Sequence, residues 1–244
     1  MRLVKPMLNM GLIKRETMYR ESELEDKEWK SYLNSIKSSF CPYLRKSSQL
    51  GLTKYTEYDL IGLGDWEELS FSYALIHSEI LRRNRQKESG TKKILMCENL
   101  LFKVGEKDIV QREMFFQWTH WALKTLYTEK GLLFGKFWPE EQIHSIGGDL
   151  IPDPPLIFLS IRSTVGDADA KFFDIAPKLM DSHKSATDDN ESVFKIEALT
   201  EVDLLLNDYL PQVRMGSEVK SLANKIALQK PLKAVIHEYG FQFI

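Results

Sequence analysis

The spacing of apolar residues predicts helices and strands along most of the chain. From Trp29 onward these residues recur at helical spacing, which predicts a first helix over 23–38. Ser22 and Glu25 have the capping-box spacing that starts such a helix. The β-branched and aromatic segment 53–61 then predicts the first strand.

The same patterns continue towards the C-terminus. Helices are predicted at 65–86, 106–131, 168–183, 200–209 and 217–228. Further strands are predicted at 91–102, 132–138, 156–161 and 193–199. The run LIFLSI at 156–161 has no polar alternation, which is typical of a strand in the interior of a sheet. This order of elements predicts an α+β fold with a mixed sheet of about four to five strands covered by helices.

Three segments are predicted from changes in composition. Residues 1–21 form an N-terminal arm, flexible or docked on a partner, because their short apolar patch is interrupted by Lys5, Pro6 and Lys14. Residues 22–186 form the main α+β domain. The polar stretch TDDNES begins a C-terminal extension, 187–244, that packs on the same domain.

Composition excludes several classes of protein. The 244 residues include 33 basic and 35 acidic side chains, so the net charge of -2 lacks the basic excess of a nucleic-acid binder. The two cysteines are too few for a disulfide framework or a closed zinc site. No run of eighteen apolar residues could span a membrane. We therefore expect a cytoplasmic protein that binds neither nucleic acid nor a membrane, and leave a homo-oligomer open.

The connection 138–155 is the first candidate for a functional segment. It begins with Trp138, carries Glu140, His144 and Asp153, and ends in closely spaced prolines. Connections longer than about 12–15 residues without their own secondary structure are usually functional or disordered. An ordinary surface excursion is the alternative.

Two histidines are candidates for a metal or acid–base role. His144 could bind iron, act as a general base or anchor a substrate, because neutral imidazole is a common metal ligand. It could equally be an exposed loop residue, since no second histidine or carboxylate stands at a metal-binding spacing. His120 lies in an aromatic helical segment, where a hydrogen-bonded core residue is the alternative to an axial ligand.

Cys41 and Arg162 complete the candidate set. Cys41 is followed by Arg45 and Lys46, and nearby cations favour a thiolate nucleophile. A position at a helix C-terminus would have the wrong dipole sign, so a structural cysteine is the alternative. Arg162 ends a buried strand and must meet an anionic or carbonyl group, which Asp153 or Glu140 could supply in place of a substrate.

Three segments in order resemble an uncharacterised bacterial family. They are FCPYLRK at 40–46, GLLFGKFWP at 131–139 and PDPPLIFLSIRS at 152–163. The family pattern runs from C-P-F through G-L-x-x-G-x-F-H-P to a loop histidine, S-P-x-P and a strand ending in I-R. Cys41, His144 and Arg162 fall on that pattern, whereas Trp138 replaces its first histidine.

The layout is also similar to that of the YqcI/YcgG family, which includes haem-dependent arginine N-hydroxylases. The shared feature is an aromatic helix, FFQWTHWAL at 115–123, between the cysteine segment and the C-terminal strands. This resemblance implies haem as cofactor and oxidation of an amino-acid-like molecule.

Two functions follow from these observations. The first is a small-molecule redox enzyme whose site contains Cys41, the 138–155 connection and Arg162, with His144 as iron ligand or acid–base group. The alternative is a non-catalytic binding or assembly protein that uses the same connection to contact a partner.

Overall fold

The structure, a computed structural model, describes residues 16–20, 26–62, 66–105, 117–145, 147–173 and 177–187. The strands are β1 (Glu16–Arg20), β2 (Thr53–Asp59), β3 (Cys97–Lys103), β4 (Leu132–Phe137) and β5 (Ile157–Ser163). The α-helices are α1 (Lys27–Ser35), α2 (Pro42–Gln49), α3 (Trp66–Gln86), α4 (Thr91–Leu95), α5 (Gln117–Tyr127) and α6 (Pro177–Lys184). A π-helical turn (Ile36–Phe40) joins α1 to α2, and a 3-10 helix (Gly166–Phe172) precedes α6.

The five strands form one mixed sheet in the order β1-β2-β3-β5-β4. β1 pairs antiparallel with β2, β2 pairs parallel with β3, and β3 pairs antiparallel with β5. The predicted α+β fold with a mixed sheet is therefore confirmed. The apolar run at 156–161 lies in β5, an interior strand between β3 and β4, as its lack of alternation predicts.

The chain divides into two compact units. Unit 1 comprises Met1–Gly64, Ile80–Glu113 and Gly135–Ser163, and unit 2 comprises Asp65–Glu79, Met114–Phe134 and Thr164–Ile244. The predicted boundaries at 21/22 and 186/187 stay predictions, because residues 1–15 and 188–244 lie outside the described ranges. The strand and the two helices predicted within 193–228 also lie outside the described ranges and stay predictions.

An aromatic cluster forms the core of unit 1. Its buried members are Trp29, Tyr32, Leu33, Tyr55, Leu101 and Phe158. The Trp29 and Phe158 rings meet edge to face at 5.1 Å between centroids, and the Phe137 ring stacks on Phe158 at 4.4 Å. These rings join α1 to β5, which are distant in sequence.

Unit 2 has its own buried contacts. Leu133, Phe173 and Leu179 pack together, and the Phe173 ring stacks on His183 at 4.6 Å. The Tyr127 hydroxyl donates a hydrogen bond of 3.0 Å to the buried carboxylate of Glu79. This bond ties α5 to α3 within the unit.

Four sequence predictions need correction. The first helix begins at Lys27, because Asp26 provides its N-cap, and helical structure continues through the π-helical turn to Phe40. Residues 91–95 form helix α4, which follows Gly90 at positive φ, in place of the start of a strand. The predicted helix over 168–183 is a 3-10 helix followed by α6. Within the predicted N-terminal arm, residues 16–20 form β1, because β2 offers its edge for pairing.

The N-cap of α1 permits a direct test. The Asp26 carboxylate accepts hydrogen bonds of 2.8 Å and 3.0 Å from the N–H groups of Glu28 and Trp29. We expect Asp26→Ala to lower the free energy of unfolding by about 1 kcal/mol, because these donors lose their side-chain acceptor. Asp26→Asn retains an acceptor and should have a smaller effect. Equal losses for the two variants in urea denaturation would contradict the capping role.

Candidate functional site

Cys41 joins the π-helical turn to α2. Its N–H donates to the carbonyl of Ile36 at 2.8 Å, and its extended backbone makes it the N-cap of α2, with Pro42 in the first turn. The N–H of Leu44 points at its sulfur at 3.4 Å. Cys41 is half-buried.

Cys41 lies at the positive end of a helix dipole as well as at the negative end that the sequence predicted. The sequence pattern placed the residue at a helix C-terminus, but the same residue also begins the next helix. The amino end of a helix carries partial positive charge, and the Leu44 N–H donates to the sulfur. The unfavourable dipole sign expected at a helix C-terminus therefore does not apply to Cys41.

The buried Tyr32 hydroxyl interacts electrostatically with Cys41 and with two acidic residues of the 138–155 connection. Burial raises the pKa of the Tyr32 hydroxyl well above its usual range, and the charges of Glu141, Asp153 and Cys41 raise it further. The hydroxyl consequently stays protonated at neutral pH. Glu141, Asp153 and Cys41 thus all act electrostatically on this phenol. We call these four residues, together with Cys97 and Arg162 described below, the charged cluster, because electrostatic interactions link them.

Cys97 is a second thiol in the same region. Its sulfur lies 3.4 Å from the Ser160 hydroxyl, and Arg162 is its register partner on β5. Burial raises the pKa of the Cys97 thiol to about 11, although the hydrogen bond with Ser160 and the positive charge of Arg162 oppose the shift. Cys97 is therefore a neutral thiol at physiological pH, whereas Cys41 is the accessible one.

Arg162 contributes positive charge to this cluster. Its Nη1 donates a hydrogen bond of 2.8 Å to the carbonyl of Ser163, and its charge acts on Cys97. The predicted interaction of Arg162 with a carboxylate or an anionic ligand stays a prediction.

The 138–155 connection has local structure of its own. His144 and Leu150 form an antiparallel bridge, and the Ile151 N–H donates to the Ile143 carbonyl at 2.8 Å. Ser145 and Asp149 exchange further bonds across this hairpin. Part of the connection therefore forms a hairpin, which the number of residues in it did not predict.

Residues along the connection differ in exposure. Trp138 is 7% exposed, with the Lys136 ammonium 4.7 Å from its ring centroid. Glu140 is exposed and has positive φ, and His144 is exposed on the hairpin. Of the predicted site residues, Cys41, Asp153 and Arg162 belong to the charged cluster, whereas these observations do not join His144 or Glu140 to it.

His120 lies in unit 2 and is 8% exposed. Its Nε2 is 2.9 Å from the carbonyl oxygen of Phe134, which matches the hydrogen-bonded core alternative. A haem ligand must open onto an apolar cavity, but this nitrogen is engaged and His144 faces solvent. The described surroundings of these two histidines do not fit haem, and we derive no step through it.

Sequence reasoning did not choose Tyr32 or Cys97 as site residues, and it noted Glu141 only as one residue of the 138–155 connection. Tyr32 and Cys97 look like ordinary apolar positions of a helix and a strand, and only their shared neighbours reveal a site. Glu141 carries a weak signal, because it stands beside Glu140 in the connection already chosen.

Among the residues that the structure describes, no helix is long and apolar enough to cross a membrane. Within the same ranges, no group of three or more His, Cys, Asp or Glu side chains could hold a metal ion. No protein-family model, curated protein or solved structure matches the chain.

Proposed function

We propose that this protein is a small-molecule redox enzyme in which the Cys41 thiol reacts with an amino-acid-like disulfide. The observation that carries the proposal is the half-buried Cys41 sulfur at the amino end of α2, with the Leu44 N–H at 3.4 Å. A thiolate is the nucleophile in disulfide exchange, and an N-terminal helix position favours it.

Charges near the thiol support an amino-acid-like substrate. Glu141 and Asp153 act on the neighbouring Tyr32 hydroxyl, and Arg162 acts on Cys97. Carboxylates of this kind suit a substrate ammonium group, and a guanidinium suits a substrate carboxylate.

The reaction consists of two exchanges. The Cys41 thiolate attacks one substrate sulfur, a mixed disulfide forms, and the other half of the substrate leaves as a thiolate that takes a proton from water. A low-molecular-weight thiol then attacks the substrate sulfur of the mixed disulfide, which joins that substrate half to the external thiol and releases the Cys41 thiolate. In total, one substrate disulfide and one external thiol become one substrate thiol and one disulfide between the other substrate half and the external thiol.

Cystine and glutathione provide the test. We expect wild-type protein to accelerate the release of cysteine and to form a mixed disulfide at Cys41, both measured by mass spectrometry. Cys41→Ser should lose both, whereas Cys97→Ser and His144→Ala should retain them. Turnover retained in Cys41→Ser would overturn the proposal.

Substrate recognition needs a separate comparison. Asp153→Asn should slow the reaction with cystine but leave that with hydroxyethyl disulfide, which has no ammonium group, nearly unchanged. Glu140→Gln removes an exposed charge from the same connection and is the matched control. If wild-type protein reacts with cystine and hydroxyethyl disulfide at equal rates, the proposed preference for an amino-acid-like substrate is contradicted.

Haem-dependent oxygenation is tested by an absorption spectrum. Protein expressed with ample iron and haem precursor should show no Soret band if Cys41 is the sole redox group. A band that persists through gel filtration and disappears in His144→Ala would replace the thiol mechanism by haem chemistry.

A binding or assembly role is the second candidate. It is favoured by Leu150, which is 58% exposed on the 143–151 hairpin. If copies of the chain associate through this hairpin, Leu150→Ser should reduce the molar mass measured by light scattering at high protein concentration. An unchanged mass would remove the support that this residue gives to self-assembly.

A further inference from the structure

A polar cleft lies between the end of α1, the π-helical turn and α2. Its volume is about 330 Å³, and its lining consists of Asn34, Lys37, Ser38, Arg45, Ser48 and Gln49. We call this feature the α1–α2 cleft. It belongs to unit 1, and Cys41 is not among its lining residues.

The lining of the α1–α2 cleft is positively charged. All six side chains are polar; Lys37 and Arg45 are cationic, and none of the six is acidic. The whole chain has a net charge of -2. A local excess of positive charge in a concave surface formed by polar residues therefore favours an anionic ligand.

The Arg45 guanidinium is held in place. Its Nε donates to the Lys37 carbonyl and its Nη2 to the Ser38 carbonyl, both at 2.9 Å. These bonds fix the planar group across the end of the π-helical turn while leaving other N–H donors of the guanidinium available for a ligand. A pre-positioned donor loses less conformational entropy on binding than a mobile surface side chain.

Ser48 supplies a second, independent indication. Its Oγ is shielded from solvent and has no hydrogen-bond partner within the described part of the chain. A buried hydroxyl without a partner is costly, and rotation of this side chain into the cleft that Ser48 lines would let a ligand oxygen relieve that cost.

From these observations we infer that the α1–α2 cleft binds the anionic group of a small molecule, a phosphate or a carboxylate. Lys37 supplies a point charge, Arg45 a fixed fork of donors, and Ser48 with the amides of Asn34 and Gln49 the neutral hydrogen bonds. The site goes beyond the proposed thiol chemistry and does not depend on it.

Isothermal titration of the full-length protein with inorganic phosphate tests the inference. Parallel titrations use acetate and citrate, with sodium chloride at matched ionic strength as the reference. Saturable binding of phosphate assigns a phosphate site, and saturable binding of acetate or citrate alone assigns a carboxylate site. Binding of none of them beyond the chloride reference overturns the inference.

Charge variants localise the bound anion. We expect Lys37→Gln to raise the Kd at least roughly tenfold, because a charge-assisted hydrogen bond is lost. Lys46→Gln removes an exposed charge from α2 outside the lining and should change the Kd by less than about twofold. Equal effects of the two variants would show general charge attraction and would overturn the assignment to the cleft.

Ser48→Ala separates a loss of anion binding from a loss of folding. It leaves every charge in place and should weaken binding while preserving the melting temperature, since the hydroxyl has no partner in the described ranges. If Ser48→Ala binds the anion as tightly as wild type, Ser48 is not part of the site. If the Kd of Lys37→Gln is also unchanged, the inference is overturned.

Discussion

Phe158→Ala should lower the free energy of unfolding by about 3–5 kcal/mol, the range for a buried aromatic side chain truncated to alanine. Phe158 is 5% exposed. Its ring contacts Trp29 and Phe137 at centroid distances of 5.1 Å and 4.4 Å, and Tyr32 at 6.0 Å. The truncation removes the ring that joins β5 to α1 and leaves a cavity that these neighbours can fill only in part.

Phe172→Ala is the matched control. It deletes the same atoms at a position that is 43% exposed, so the loss should be about 1 kcal/mol or less. Urea denaturation followed by tryptophan fluorescence measures both variants. Comparable losses would contradict the central position of Phe158 in the core of unit 1.

The two cysteines should differ at least about a hundredfold in alkylation by iodoacetamide at pH 8, with Cys41 reacting first. Burial raises the pKa of Cys97 to about 11, so only roughly a thousandth of this thiol is ionised at that pH. The folded chain also shields its sulfur, whereas Cys41 is half-buried. Peptide mass spectrometry after timed quenching gives the two rates.

Unfolding is the control for the alkylation experiment. In guanidinium chloride the two thiols lose their environments and should react at similar rates, because only the folded state separates them. Similar rates in the native protein would contradict both the burial of Cys97 and the selective reactivity assigned to Cys41. This comparison tests the thiols without requiring a known substrate.

The low reactivity expected of Cys97 also bears on the proposed reaction. A neutral buried thiol is a poor attacking group, so an external thiol is assigned the second exchange. Arg162 and Ser160 partly offset the effect of burial on the Cys97 pKa. Their removal should therefore make Cys97 still less acidic.

Local patterns in the sequence determined most of the secondary structure and the fold class. Periods of 2 and 3.6 residues arise from backbone geometry, so β2, β5 and α3 are recognisable without any partner. Short segments were predicted less reliably. Residues 91–95 were assigned to the start of a strand, but they form helix α4 after Gly90, which has positive φ.

Tertiary structure alone decided which groups converge. Tyr32 and Cys97 carry no sequence signal of a site. In the folded chain, however, Cys41 acts electrostatically on both residues, Glu141 and Asp153 act on Tyr32, and Arg162 acts on Cys97. The π-helical turn also places Cys41 at the start of α2. Contacts between residues far apart in sequence depend on strand order and packing, which local periodicity does not encode. The sequence by itself therefore determined the elements and some of the candidates, and only the folded chain determined their neighbours.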